Sequence, residues 1–363
     1  MKKLLTTLLG LALFSTIVGY TSDALAYVSL KCDGKRVKWP NSPVTMRASQ
    51  VGFPVGNGYR EALTEAINLF YQNPSNFWYT LTYDDPLVGV GNGETEAWWT
   101  GDPNLTNTAR AFTQYNCSSA SIYEADAVFY NGESYTSSTN DKRSLWPYGG
   151  GFRPFQTTAI HELGHTVGLE HEGDEYNVMG FDFTHIYANG TKATAYLGED
   201  AAYGIAQIYG YYPGSYEDIS VTHWKYANYA SDGYSVHDRT RILDSNGNLL
   251  SSYIDTGEPR YIVNRGQTVQ VEFTYENNGT NKQNTTADLY VSTNDYISRT
   301  DTWLTQYFPT IDRGNVNTFP YSVSIPNNLT PGKYYIGVLL DGARQLSEMR
   351  EDNNATYIGI EVR

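Results

Sequence analysis

Apolar residues recur at three- and four-residue steps in only a few stretches of this chain. In "YREALTEAINLFYQ", Ala62, Ala66, Leu69 and Phe70 fall on one helical face. In "TTAIHELGHTVGLEH", Ala159, Ile160, Leu163 and Val167 form a second such stripe. "GEDAAYGIAQIYG" (198–210) is a third predicted helix, with acidic residues at its start and Gly210 near its end. Elsewhere the apolar positions alternate. "VKWPNSPVTMRAS", "FWYTLTY" and "ADAVFY" (125–130) predict strands, separated by loops such as "VGVGNGET" and "NGESYTSSTNDKRS".

From about residue 216 helical periodicity is gone. "TVQVEFTYENNG", "ADLYVSTND", "FPYSVSIP" and "KYYIGVLLDG" follow one another, each a short alternating or β-branched run closed by Asn, Gly, Pro or Asp. That spacing predicts an all-β sandwich. The change of texture places a boundary near Gly214, after the Pro213-Gly214 turn, giving a first domain over 27–214 and a second over 215–363.

The first 26 residues read differently from either. Lys2 and Lys3 precede an apolar run from Leu4 to Gly19, and Ala24-Leu25-Ala26 offers a small-residue cleavage site. These are the parts of a secretory signal peptide. The run is shorter than the ~20 residues of a spanning helix, and no later stretch is apolar enough to cross a bilayer. The expectation is a secreted protein that begins at Tyr27, with no membrane span in the mature chain.

The whole chain carries a net charge of −14, and removal of the leader makes it one unit more negative. Such a surface excludes nucleic acid as the natural partner, because phosphates demand clustered Lys and Arg. The only cysteines are Cys32 and Cys117. In an oxidising compartment the simplest reading of such a pair is one disulfide. Two other readings stand beside it. Cys32 is a lipidation site in one, although it does not lie at the cleavage point; in the other it is an inhibitory thiolate on a metal, although almost no propeptide precedes it.

Half of the six histidines lie in "HELGHTVGLEH", residues 161–171. On a helix, His161 and His165 stand one turn apart on the same face and are able to hold one divalent cation from the same side. Gly168 permits the tight turn that ends the helix, after which His171 supplies a third nitrogen. Three imidazoles suit zinc and leave a tetrahedral position open. Glu162 is rotated about 100° from His161 around the helix axis, beside the metal without ligating it. A carboxylate there can take a proton from a water polarised by the metal and pass it to a leaving amine. Chance placement of the five fixed positions of HExxHxxGxxH is expected roughly once in ten thousand chains of this size, on equal residue frequencies.

The motif resembles the zinc-binding sequence of the metzincin metalloendopeptidases. "EYNVMG" supplies Met179 eight residues past His171, a short spacing similar to the matrixin branch, as is "LGEDAAYGIAQIYG". "EADAVFY" resembles the strand that precedes that family's active-site loops. The resemblance covers roughly residues 35–212. It implies an α+β metzincin-like catalytic domain: a mixed twisted sheet, an active-site helix beneath it, and a cleft along an edge strand where substrate binds extended. It assigns His161, His165 and His171 as ligands of one catalytic zinc, Glu162 as general base and Met179 as the hydrophobic floor.

The chain departs from the family in two ways. Phe181 stands where some metzincins place a tyrosine ligand, leaving Tyr187 or Tyr196 as candidates to reach an oxyanion. No histidine precedes His161, so a second, histidine-bound structural zinc is not expected. The Asp- and Asn-containing loops at 82–104 and 131–141 are candidates for calcium, without an EF-hand pattern. His185, His223 and His237 are expected to be surface or turn residues.

The tail, about 260–363, resembles the bacterial cell-adhesion-related domain, an immunoglobulin-like sandwich, through "YVSTND", "GKYYIG" and "EMREDNN". That resemblance implies either a binder of a surface, a glycan or a protein substrate, or a spacer. Two functions therefore stand side by side. The first is a secreted zinc endopeptidase acting on extracellular proteins or peptides; the alternative is an adhesive protein whose peptidase-like domain is silent. The intact Glu162 favours the enzyme.

Overall fold

The structure is a computed structural model that describes residues 27–172, 176–180, 185–225 and 237–363. Residues 1–26, where a signal peptide is expected, and Phe181 lie outside the described residues. Among the described residues no helix is long and apolar enough to cross a membrane.

The first half is built on a five-stranded mixed sheet. Its strands are β1 (Val44–Ser49), β2 (Tyr79–Asp85), β3 (Glu96–Thr100), β4 (Ala109–Asn116) and β5 (Ser121–Tyr130), in the order β2-β1-β3-β5-β4. All neighbours are parallel except β4, which pairs antiparallel with β5 and ends the sheet. Between β1 and β2 runs helix α1 (Gly58–Leu69), whose Asn57 cap accepts the Tyr59 amide at 2.8 Å. Its Ala62, Leu63, Ala66 and Ile67 are buried.

Helix α2 (Phe155–Thr166) packs against α1 and under β4 and β5. The sequence predicts an apolar stripe here, but every residue of α2 except His165 is buried. A helix covered on all sides must satisfy its terminal carbonyls internally. Trp39 Nε1 donates to Thr166 O at 2.8 Å, Tyr209 Oη to Val167 O at 2.8 Å and Thr113 Oγ1 to His165 O at 3.1 Å. Helix α3 (Gly198–Tyr209) closes this half, and Gly210, with φ +86°, follows its last turn.

A disulfide joins Cys32 to Cys117 across a sequence separation of 85. It ties the start of the described chain to the β4–β5 hairpin. The neighbouring residues Val28–Ser29 pair antiparallel with Leu169–Glu170, just past α2.

The second half is two sheets face to face. In one, β6 (Ile219–Thr222) and β7 (Ile242–Asp244) both pair with one side of β10 (Thr268–Asn277), while β13 (Val316–Ser324) takes its other side. In the other, β8 (Ser252–Asp255), β9 (Glu258–Val263), β11 (Ala287–Ser292), β12 (Thr302–Tyr307), β14 (Gly332–Leu340) and β15 (Ala355–Val362) run β8-β9-β15-β14-β11-β12. Val221, Val271, Phe273, Leu289, Val338 and Ile360 are among the buried residues between them.

The two halves are packed together. Leu145, Tyr148, Ile186 and Ala188 of the first form one buried cluster with Tyr290, Ile297 and Tyr357 of the second. Lys142, 1% exposed, reaches into this seam and pairs with Asp295 at 2.7 Å and Glu258 at 3.6 Å.

Candidate metal centre

The Nε2 atoms of His161, His165 and His171 converge. They stand 3.2 Å (His161–His171), 3.2 Å (His161–His165) and 3.0 Å (His165–His171) apart. Nitrogens bound about 2.0–2.1 Å from a tetrahedral zinc are separated by about 3.3 Å, so this cluster fits such an ion with little adjustment.

The rings are held from behind. His161 Nδ1 donates to Val178 O at 2.7 Å, and His165 Nδ1 donates to Leu169 O at 2.8 Å. Each bond puts the ring proton on Nδ1 and leaves the Nε2 lone pair for a cation. Burial pushes the His161 imidazole down to about 3, helped by the neighbouring His171, and holds His165 well below the usual imidazole range. Both rings are thus neutral near pH 7, the form that ligates metal.

The backbone around the rings explains several small residues. Gly168 has φ +92°, and a Cβ there would fall 2.6 Å from Val37 O. Only glycine lets the chain turn out of α2 against the Val37 carbonyl and bring His171 back. Leu30 N then donates to Gly168 O at 2.8 Å, and Leu169 sits in register with Ser29. Met179, 1% exposed, packs against Gly164 on α2. Glu162, adjacent to His161 on the helix, is 4% exposed.

The carbonyls of Val178 and Leu169 were beyond the reach of sequence reasoning. Backbone acceptors carry no side-chain signature, and both are placed by turns that the residue pattern does not specify.

The other three histidines correct the expectation of surface or turn positions. His185 is fully buried, and His223 and His237 are each 2% exposed. Burial pushes His185 down to about 3, and burial beside Arg239 and Lys142 holds His223 well below its usual range. His185 and His223 are neutral packing residues near the seam between the halves, and the His237 ring lies 5.4 Å from that of Tyr176. Tyr187 is also occupied away from the triad. Its hydroxyl donates to Glu276 of β10, and its ring lies 3.9 Å from that of Tyr196.

Two more groups of potential ligands occur among the described residues: His185, Glu199 and Glu276, and Asp85, Glu94 and Glu96. The second lies in the 82–104 region named for calcium, and Arg47 already stands 3.6 Å from Asp85 and 3.2 Å from Glu94. Nearby, Glu124 accepts the amides of Gly91 and Gly93 at 2.5 and 2.7 Å, so that carboxylate organises the loop itself.

Residues 78–210 match the family model for matrixin, a peptidase family, and residues 254–357 match that for CARDB. No curated protein matches the chain. Among solved structures it is similar to a CARDB domain of Pyrococcus furiosus in complex with di-metal ions, at 13% identity and a TM-score of 0.25, covering 41% of this chain and 90% of that one. A solution structure of the CARDB domain from that organism gives 15% identity and a TM-score of 0.26, covering 41% and 97%. An alkylpurine DNA glycosylase of Pseudomonas fluorescens bound to DNA gives 13% and 0.22, covering 46% and 34%. The matrixin match suggests a zinc metallopeptidase. The chain joins a matrixin-like domain to a C-terminal CARDB domain.

Proposed function

We propose that the protein is an exported zinc-dependent endopeptidase that cleaves extracellular proteins or peptides, with residues 27–214 as its catalytic unit and 215–363 as a linker and sandwich. His161, His165 and His171 hold the metal, Glu162 is the general base, and Met179 is the floor of the site. The observation that carries this reading is the mutual approach of the three Nε2 atoms to 3.0–3.2 Å. Three imidazole nitrogens have no reason to meet so closely around a common point except to share a cation.

When bound, zinc supplies Lewis acidity to a scissile carbonyl and makes water acidic enough to be deprotonated near neutral pH. The remaining work falls to the chain. Val178 O and Leu169 O keep the rings turned to one point, so no reorientation accompanies metal capture. The Glu162 carboxylate receives a proton from the attacking water and returns it to the leaving amine. Strand β4 ends its sheet and lies against α2, where Thr113 Oγ1 donates to His165 O. Its outer edge is the natural place for an extended peptide to pair.

The test is a digest of an unbiased peptide library by the purified protein. Cleavage should stop with a chelator and return with zinc. Glu162→Ala should keep one zinc per chain and lose roughly 10²–10⁴-fold in turnover. Wild-type cleavage by that variant, with contaminating proteases excluded, would remove Glu162 from its role.

A further inference from the structure

One face of the β6–β10 pair has an unusual character. Residues two apart on a strand share a face, so Ser220 and Thr222 of β6 lie with Thr274 and Glu276 of β10. On the opposite face, Ile219, Val221, Phe273 and Tyr275 fill the sandwich core. A polar outer face would ordinarily meet water, yet Ser220, Thr274 and Glu276 are fully buried and Thr222 is 1% exposed. Among the described residues, Tyr187 and the start of α3 (Gly198 and Glu199) lie against Glu276 on that face.

The contacts run residue by residue. Tyr187 Oη donates to Glu276, Trp224 Nε1 donates to Ile186 O at 3.1 Å, and Thr356 Oγ1 donates to Ala188 O at 3.2 Å. Asn189 is gripped in both directions by Ile297, accepting its amide at 2.6 Å and donating to its carbonyl at 3.0 Å. Tyr176 is fully buried; its hydroxyl faces the Thr222 side chain, and its ring lies 4.8 Å from that of His185 and 5.4 Å from that of His237 in the second half. Two residues beyond Tyr176 is Val178, whose carbonyl takes the His161 Nδ1 proton. Next comes Met179, seated on Gly164.

We infer that the β-sandwich is a working part of the metal centre. Thr222 and Glu276 are positioning residues that hold the Tyr176–Met179 turn, and through the Val178 carbonyl they fix the His161 ring. This rests on the zinc-peptidase reading above and gives the second domain a role other than tether or adhesive module. A spacer would need few fixed contacts with the domain it spaces. Here the turn behind a ligand is packed against the second half on one side and bonded to the ligand on the other. Partners that orient a metal ligand in this way affect affinity by about 10–100-fold.

The experiment uses the full chain loaded with cobalt(II), whose visible absorption reports ligand geometry. The variants are Tyr176→Phe, Thr222→Val, their double mutant, and Glu276→Gln. Val323→Ala, in the sandwich core and away from the turn, is the control for simple loss of stability.

The expected result is a changed cobalt spectrum, zinc release about tenfold faster, and a lower kcat at little-changed KM in the first group. The double mutant should be no worse than the single variants, because both act on the same contact. Val323→Ala should melt earlier with the wild-type spectrum. Wild-type spectra and zinc release in all four variants, with melting alone affected, would overturn the inference. Tyr176→Phe removes one hydroxyl and keeps the ring, so it decides the matter should the others fail to fold. If the wild-type chain binds cobalt but cleaves nothing, the peptidase reading falls while the spectra still decide this one.

Discussion

A Cβ placed on Gly164 would stand 2.3 Å from the Met179 sulfur. The helix that carries His161 and His165 therefore meets the turn that carries Val178 and Met179 at a point where only a hydrogen atom fits. Glycine costs a helix interior about 1 kcal/mol relative to alanine, and the close approach is what that cost secures.

Gly164→Ala sets those two effects against each other. Better helix propensity contributes about 1 kcal/mol, while overpacking a buried contact costs typically 1–3 kcal/mol. Net destabilisation is expected, together with weaker zinc binding, because displacement of Met179 carries the Val178 carbonyl with it. Urea unfolding and a competitive zinc titration measure the two outcomes. A more stable variant with unchanged affinity would show that the turn yields freely.

On the proposed roles, removing a ligand differs from removing the base. His161→Ala or His165→Ala should abolish stoichiometric zinc and hydrolysis together, whereas Glu162→Ala should separate them. Metal analysis by mass spectrometry beside a peptidase assay distinguishes the cases. Retention of full zinc by His165→Ala would exclude that ring from the site.

Lys142 joins the two halves through Asp295 at 2.7 Å and Glu258 at 3.6 Å, with its own side chain 1% exposed. Removing the ammonium leaves Asp295 without its cation while Glu258 keeps Arg239 at 3.1 Å, at a cost of about 3 kcal/mol, the low end for a buried pair. Lys142→Met should lose that much stability. It should also open the seam, seen as faster proteolysis or amide exchange around Ile186–Ala188. A stability change within a few tenths of a kcal/mol would mean that water already screens the pair.

His223 makes the seam sensitive to acid. Burial, with Arg239 and Lys142 nearby, lowers its folded pKa, so between that value and the unfolded one near 6.5 the unfolded chain binds the extra proton. Its contribution is fully present above about pH 6.5 and falls as the pH drops, by at most about 1.4 kcal/mol per pH unit for one group. His223→Gln should flatten the loss of stability between pH 7 and pH 5 in paired denaturant curves. Equal slopes in the two proteins would place the acid sensitivity elsewhere.

Local patterns in the sequence reached some elements and missed others. The three helices were legible, because helical periodicity and Gly210 are local. Strands β3 and β4 were not: "EAWWT" and "ARAFTQYN" lack a clean alternation, and they become strands because β5 offers them partners. The buried histidines were misread for a related reason. A lone imidazole carries no mark of burial, and at the seam it stays neutral to avoid desolvating a charge.

The sequence by itself determined that the three imidazole nitrogens meet, since a four-residue step on a helix and a glycine turn are short-range geometry. It also determined where helical texture ends and strand texture begins. Only the tertiary structure decided that Val178 and Leu169 turn the rings, that Met179 requires Gly164, and that the sandwich is packed onto the turn behind His161. Those relationships join residues distant along the chain. They depend on which surfaces exclude water from one another, and no local pattern of residues records that.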